Sequence, residues 1–506
     1  MKFNLLIKHL LAITSGLLLF LSLPAQNLFF LAWFALLPVL FAIHKSSAKE
    51  AFYYGLLVGL VAYLPALYWV FPTINLAGGG VAQSLVCFLL MVIYLALFIA
   101  MWLMCSRLKV IENMKGYWVI LFLAFLWVII EYLRSNLFTG FPWLLLGHSQ
   151  WNFNELLQIS EFCGVEGISF LLVFFNLSLW YAIKHRKVGY IFFALFVLLL
   201  VMFVGTNLDT QKWRLGNSVK VAVVQTNISQ NEKWNPNFKN EILRKYSSLL
   251  NGLGANTKPE LIIWPETALP DDLFAKNELF SWASRNFGAS SAYNVVGTLV
   301  SENGAYFNAS AVFNPFGELV GLHKKTHLVP FGEYIPLRKY IQPFFAIVGD
   351  MGDFSKGFEH ESFFAAKTLI APTICSENFS AQSIACFVSN GAQVLINQTN
   401  DAWFYDTSAL QQHFVLNMFR AVENRRPVVV ASNGGISGFI DERGKINVVL
   451  PKFKNSTLTR EVYPCTGLTF YTRFSGLFNK IAIFAFLFLI CFRKKGLKLN
   501  CDIRVK

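Results

Sequence analysis

Long apolar runs, almost free of charge, alternate with short polar breaks over the first 206 positions. They fall at about 4–22, 27–44, 51–72, 81–106, 116–133, 164–183 and 188–206. A helix rises about 1.5 Å per residue, so roughly 20 apolar residues cross a bilayer core. The pattern predicts seven spans in the region 1–206. An eighth run, about 474–492, is interrupted by Lys480, whose long side chain can reach the headgroups. Between them, about 217–460, the period changes. Short β-rich runs at 219–225, 261–264, 294–300, 310–314, 367–374, 394–397, 428–432, 438–440 and 446–450 read as strands. Stretches at 237–253, 381–389 and 410–424 read as helices, the last with Phe414, Met418 and Val422 at helical spacing. Strand–helix alternation of this kind predicts one α/β domain. The expected organisation is therefore an α-helical bundle of about eight spans, an extramembrane α/β domain at 217–460, a last span at 474–492 and a basic tail at 493–506.

Composition sharpens this picture. Of 506 residues, 55% are hydrophobic and 14% charged, whereas soluble domains are about one-quarter charged. Mean hydropathy is +0.48. Disorder, a coiled coil and a wholly soluble enzyme are excluded. The net charge of +14 would suit nucleic acid, but its placement is topological. Lys2 and Lys8 precede the first run. Lys45 and Lys49 follow the second, Arg107, Lys109 and Lys115 the fourth, Lys184, Arg186 and Lys187 the sixth, and Arg493, Lys494, Lys495 and Lys498 the last. The alternate loops are nearly free of Lys and Arg. Basic loops stay in the cytoplasm, so both termini are expected inside and 207–470 outside, in the periplasm of a bacterial inner membrane. No nucleic-acid partner is expected. Gly55 and Gly59 form a G-x-x-x-G, read as close packing within the bundle rather than as a dimer face.

Eight cysteines form no C-x-x-C pair, which argues against a zinc ribbon or a thioredoxin motif. Cys163, Cys375, Cys386 and Cys465 face the oxidising side, where disulfides are possible. Cys386 is expected to pack inside the helix after Cys375. His323 and His327 are four apart, but Leu-Val-Pro-Phe-Gly after them does not continue a helix and no third ligand is near, so no metal site is expected. His148 and His413 read as packing or surface histidines.

Three residues at strand ends can form one site. Glu266 follows Leu261-Ile-Ile-Trp-Pro265, Lys325 lies in His323-Lys-Lys-Thr-His327, and Cys375 ends the strand Thr368–Ile374. A thiol is mostly protonated at neutral pH. A carboxylate can take its proton during attack, and an ammonium with a backbone N–H can balance the charge on a tetrahedral oxygen.

The strings W-P-E-T, H-L-V-P-F-G-E-Y-I-P, I-C-S-E and N-D-A-W-F resemble the carbon–nitrogen hydrolase (nitrilase) superfamily. With seven runs before and one after, and with Gly140-Phe-Pro-Trp-Leu144, the whole chain is similar to the apolipoprotein N-acyltransferase family. The resemblance implies a nitrilase-like αββα sandwich outside the membrane. It makes Glu266 the general base, Lys325 (with Lys324 as the rival position) the oxyanion-stabilising cation and Cys375 the nucleophile. Glu333, Glu377 and Ser376 take supporting places; Ser376 departs from a tyrosine common there in relatives. Trp234, Asn400, Asp401 and Trp403 match substrate-binding positions, and Arg426 and Pro427 a pair that fixes a helix end.

The implied reaction is acyl transfer from a phospholipid to the N-terminal amine of a diacylated apolipoprotein, through a Cys375 thioester. It needs no metal or organic cofactor. Membrane lipid is thus both setting and substrate. The apolar stretch Ile341–Val348, with Phe344 and Phe345, is read either as an acyl-chain lid dipping into the interface or as an ordinary buried element. Two other classes compete. A membrane-tethered amidase on a small amide would share the triad but not need eight spans. A transporter with an outer domain would usually carry ionisable groups in mid-membrane.

Overall fold

The computed structural model describes residues 4–112, 114, 116–138, 140–275, 277–341 and 353–499. The chain divides into two compact units. One comprises Met1–Phe71, Leu85–Leu208 and Gly476–Lys506, the other Pro72–Ser84 and Asp209–Ser475.

The apolar runs become helices. Among the described residues, five are long and apolar enough to cross a membrane: Leu5–Ser22, Val70–Ser106, Tyr117–Asn136, Ser160–His185 and Gly189–Asn207. The run at 27–44 departs from a single span. It folds as a 3₁₀ turn, Phe29–Trp33, and a short helix, Leu37–Ala42, with Pro38 in its first turn. The run at 51–72 is the helix Ala48–Ala66, opened by a Ser47–Glu50 capping box. The last run starts a helix at Leu477. A side chain at Gly55 would lie 2.5 Å from Ala100 Cα, and one at Gly59 2.5 Å from Ala96 Cα. The G-x-x-x-G therefore serves close packing of two helices of the same chain.

Glu131 and Arg134 are among the ionisable groups buried in this unit. Glu131 Oε1 accepts from the Leu146 N–H at 2.8 Å, and Arg134 donates to the Tyr63 hydroxyl at 3.0 Å and the Trp143 carbonyl at 3.1 Å. They hold the loop that carries Phe141-Pro-Trp-Leu144, which is the reason charges are tolerated there.

Among the described residues, the second unit contains twelve strands in two six-stranded sheets. β1 (Val219–Gln225), β2 (Leu261–Ile263), β3 (Tyr293–Glu302), β4 (Ala305–Phe313), β5 (Leu319–Lys324) and β12 (Ser456–Val462) form one sheet, in the order β12-β1-β2-β3-β4-β5. β6 (Phe363–Ala365), β7 (Thr368–Ile374), β8 (Val394–Thr399), β9 (Val428–Ser432), β10 (Gly438–Ile440) and β11 (Ile446–Val449) form the other, in the order β11-β10-β9-β8-β7-β6. β1–β2–β3 and β7–β8–β9 are parallel, and the outer pairs are antiparallel.

The strand period of two divides the side chains between layers. Val221, Val223, Leu261, Ile263, Val295 and Val312 pack against Ile370, Val394, Ile396, Val429, Ala431 and Phe439 of the opposite sheet. Alternate residues Ala222, Val224, Ile262, Trp264 and Val296 face outward onto the helices Lys239–Asn256 and Asn277–Ala289. Both faces of these strands are covered, which explains their continuous rather than alternating hydrophobicity. Gln398, fully buried, crosses between the sheets and donates to the Trp264 carbonyl at 2.6 Å. Strands β5, β6 and β12 and the helix Asn277–Ala289 were not among the elements expected from periodicity.

Candidate active site

Glu266, Lys325 and Cys375 each stand just past the end of a strand, after β2, β5 and β7 respectively. A rigid sheet sandwich thereby fixes three short loops. Lys325 is 1% exposed. Its Nζ lies 2.8 Å from Glu333 Oε1 and 3.4 Å from Glu266 Oε1. The rival Lys324 points elsewhere: its Nζ pairs with Glu302 on the surface and lies over the Phe307 ring. Adjacent residues at a strand end face opposite ways, so only one of the two can enter the site.

Glu266 is held on every side. Asn308 Nδ2 donates to its Oε1 at 2.8 Å, and the Asn400 N–H to its Oε2 at 2.9 Å. Its carbonyl accepts from Lys233 Nζ at 3.0 Å. The loop passes so close to β3 that a side chain at Gly297 would lie 2.4 Å from the Thr267 nitrogen and 2.6 Å from Glu266 Cα. Asn308 also donates to Glu333 Oε1 at 2.8 Å, while Glu333 Oε2 accepts from the Val329 N–H at 2.8 Å.

Cys375 has φ +48°, a left-handed conformation that costs a non-glycine residue roughly 1–3 kcal/mol and occurs often where a reactive side chain is held out of a strand. It is a free thiol and keeps a part-exposed face. Burial among protein groups and the nearby Glu266 push its pKa well above the usual thiol value, and Lys325 opposes them only partly. The resting sulfur is therefore protonated, and attack requires a base. Lys325 is affected in the opposite sense. Burial lowers its pKa, but Glu333, Glu266 and Cys375 together raise it above the ordinary value, so it stays an ammonium.

Glu377 braces the two loops. It accepts from the Ile374 N–H at 2.7 Å, the Thr326 N–H at 2.7 Å and the Thr326 hydroxyl at 2.6 Å, and lies 3.1 Å from His323 Nε2. Burial alone would raise its pKa; His323 and Thr326 overcome this and set it at about 2. The Nε2 of His323 is thus turned to a carboxylate. Ser376 Oγ donates to the His327 carbonyl at 2.7 Å, tying the same loops together.

The remaining expected residues divide. Trp234 is 43% exposed, with its indole N–H on Gln230 Oε1. Trp403 is half-buried, and its carbonyl accepts from Thr73 Oγ1 at 3.3 Å. Asn400 reaches Glu266 through its main chain, while its side chain bonds Gln230 and Asn433. The buried Asp401 carboxylate accepts from Thr399, His413 and Ser432, which locks the loop internally. His413 is accordingly buried and paired. Arg426 donates to the Asn424 carbonyl at a helix end and to Ala392 and Gly467. Phe344 and Phe345 lie outside the described residues. Cys386 corrects an expectation: it lies on the helix Ala381–Ser389 but is exposed, because Ile384, Ala385, Phe387 and Val388 form the buried face. Cys163, Cys386 and Cys465 are free thiols.

Asn308 and Lys233 were missed. No local motif marks Asn308, which meets the two glutamates only through the β3–β4–β5 pairing. Lys233 stands next to Trp234 and reads as a surface lysine, yet it is 3% exposed, and burial brings its pKa down to about 7 despite Glu266.

The family model for the apolipoprotein N-acyltransferase N-terminal domain matches residues 15–178, and that for carbon–nitrogen hydrolase matches 220–465. An apolipoprotein N-acyltransferase of Geobacter metallireducens is 34% identical, covering 97% of this chain and 96% of its own. That of Methylococcus capsulatus is 32% identical over 96% of each, and that of Pasteurella multocida 30% identical over 95% and 94%. A solved nitrilase-superfamily structure from Saccharomyces cerevisiae is 18% identical, covering 49% of this chain and 92% of that one with a TM-score of 0.39. With identity above 30% running through both the membrane helices and the sandwich, the chain belongs to the apolipoprotein N-acyltransferase family.

Proposed function

We propose that this membrane enzyme transfers an acyl chain from a phospholipid to the N-terminal amine of a diacylated apolipoprotein, with Cys375 as the carrier. The observation that carries the reading is a buried ammonium, Lys325, held between Glu266 and Glu333 beside a protonated, strained cysteine. Glu266 takes the Cys375 proton as sulfur attacks the ester carbonyl. Lys325, with a main-chain N–H beyond the nucleophile, balances the charge on the tetrahedral oxygen. The C–O bond breaks, Glu266 returns the proton to the leaving oxygen, and a lysophospholipid departs. In the second half the α-amine of the lipidated cysteine attacks the thioester. Glu266 removes its proton, the C–S bond breaks and the thiol is restored. A thioester accepts amines readily, so two moderate barriers replace one high barrier.

The surrounding groups have positioning roles. Asn308 and the Asn400 N–H aim Glu266, Glu333 aims Lys325, and Glu377 and Ser376 fix the loops of Lys325 and Cys375. Trp234 and Trp403 serve the substrate side in this reading. The alternating basic loops support a bacterial inner-membrane location with the sandwich in the periplasm. Both substrates stay in the bilayer because each buried CH₂ holds them there by about 0.8 kcal/mol.

The test uses purified protein with labelled phospholipid and a diacylated lipopeptide. Mass spectrometry should find a fatty acyl adduct on the Cys375 peptide, then an amide-linked third chain on the lipopeptide. An unmodified Cys375 with release of free fatty acid or of ammonia from a small amide would overturn the assignment.

A further inference from the structure

The loop that carries Glu266 is tied to β3 on either side of that residue. The Gly297 N–H donates to the Pro265 carbonyl at 3.2 Å, and the Leu269 N–H donates to the Gly297 carbonyl at 3.0 Å. Between these two bonds the Glu266 carbonyl accepts from Lys233 Nζ at 3.0 Å. That carbonyl belongs to the peptide leading into Thr267, whose φ is +46°. A β-branched residue is an outlier in this left-handed region, and such a conformation persists only where its surroundings fix it. The Thr267 side chain gives no hold, since its buried hydroxyl has no hydrogen-bond partner among the described residues. Lys233 therefore grips the one peptide of the loop that is under strain.

Lys233 comes from a helix of one turn, Gln230–Lys233, opened by a Ser229–Glu232 capping box. A helix so short does not hold itself. Asn433 ties its approach, accepting from the Ile228 N–H at 2.8 Å and donating to the Ile228 carbonyl at 2.9 Å. Gln230 Nε2 donates to Asn400 Oδ1 at 2.9 Å, and Gln230 Oε1 accepts from the Trp234 indole at 3.2 Å. Because the Asn400 N–H holds Glu266 Oε2, the turn next to Trp234 grips Glu266 twice, at its carbonyl directly and at its carboxylate through Asn400. Lysine is a costly residue for this place. A long side chain can carry its ammonium out to water, yet Lys233 is buried, and burial brings its pKa down to about 7 although Glu266 opposes this. Glu266 is the charged side chain that acts on it, while Glu232 of the same turn is exposed and faces Ser229. Among the described residues the Glu266 carbonyl is its one acceptor.

We infer that Lys233 is a positioning residue for the acyl transfer: its bond to the Glu266 carbonyl pins the strained Glu266–Thr267 peptide and so aims the carboxylate from the turn that leads into Trp234. The inference rests on the reading of Glu266 as the base for Cys375. Without the bond the peptide is free to rotate out of its strained conformation, and the side chain at its start turns with it. A substrate that displaces Trp234 is felt at Glu266 through the same two links.

The experiment follows the first half-reaction alone. The full chain in detergent meets saturating labelled phospholipid without lipopeptide, and mass spectrometry reads the acyl adduct on Cys375 over time. A loss of folded protein lowers the final amplitude, whereas a badly aimed base lowers the rate constant. Lys233→Met should lower the rate constant roughly tenfold to hundredfold and leave the amplitude little changed. The ratio of parent to variant should also fall as pH rises through about 7, where Lys233 loses its proton. An ammonium donates a stronger hydrogen bond than an amine, and every other titrating group is common to both chains. Asn231→Ala, exposed on the same turn, should keep the parent's rate constant. Should Lys233→Met fail to fold, Lys233→Gln, whose shorter side chain ends before the carbonyl, supplies the same comparison. A ratio that stays level from about pH 6 to about pH 8, or an equal loss in Asn231→Ala, would overturn the role of Lys233. An unacylated Cys375 in the parent would overturn the acyl-transfer reading, and this role with it.

Discussion

Lys325→Met removes the charge on which both glutamates depend while keeping most of the volume. At an effective dielectric of about 20, unit charges at the observed 2.8 Å and 3.4 Å attract by about 6 and 5 kcal/mol before desolvation is subtracted. Desolvation of three nearly buried ions cancels much of this, and removal of one member of a buried pair usually costs about 3–5 kcal/mol. The variant should therefore lose about that much stability, read as a fall in detergent-solubilised thermal unfolding. Loss of an oxyanion donor slows reaction by about 10²–10³, so Cys375 acylation by labelled phospholipid should slow at least that far. Adding Glu333→Gln to Lys325→Met removes the repulsion between two now uncompensated carboxylates. It should recover part of the stability and none of the acylation rate. Acylation within a few-fold of the parent, or no stability recovered by Glu333→Gln, would refute the view that Lys325 is the central charge.

Asn308→Leu deletes two hydrogen bonds to carboxylates, each worth about 1.5–3 kcal/mol. It should slow thioester formation sharply, because Glu266 and Glu333 both lose the amide that aims them. Gly297→Ala forces a methyl group against the Pro265–Thr267 backbone; overpacking of this kind costs about 1–3 kcal/mol, and circular dichroism melts with acylation assays should show both effects. Glu377, depressed from 4.5 to about 2, stabilises the fold fully above pH 4.5. That contribution, on the order of 3 kcal/mol, fades as pH falls toward 2. Melting temperature should therefore drop across that window in the parent and much less in Glu377→Gln. Cys386→Ser should retain acylation and Cys375→Ala should have none, as read by mass spectrometry.

Much of the architecture was legible locally. A span needs only length and apolarity, so the helices Leu5–Ser22, Tyr117–Asn136, Ser160–His185 and Gly189–Asn207 stand close to the apolar runs. The run at 27–44 misled because hydropathy does not register the turn at 34–36 that divides it. Buried parallel strands such as β1, β7 and β9 were legible from their β-branched residues. β5 and β12 were not, since half-exposed edge strands carry weak patterns. Cys386 was misplaced because a cysteine's burial depends on which side of its helix meets the sandwich.

The sequence by itself determined that the chain lives in a membrane, that it carries an α/β domain, and that Glu266 and Cys375 stand at strand ends. These follow from run length, period and short motifs, all local properties. Only the tertiary structure decided that Lys325 rather than Lys324 turns inward, that Asn308 joins Glu266 to Glu333, and that His323 meets Glu377. Those outcomes depend on which strands become neighbours and in what register, and pairing between distant segments leaves no mark on the residues next to each one.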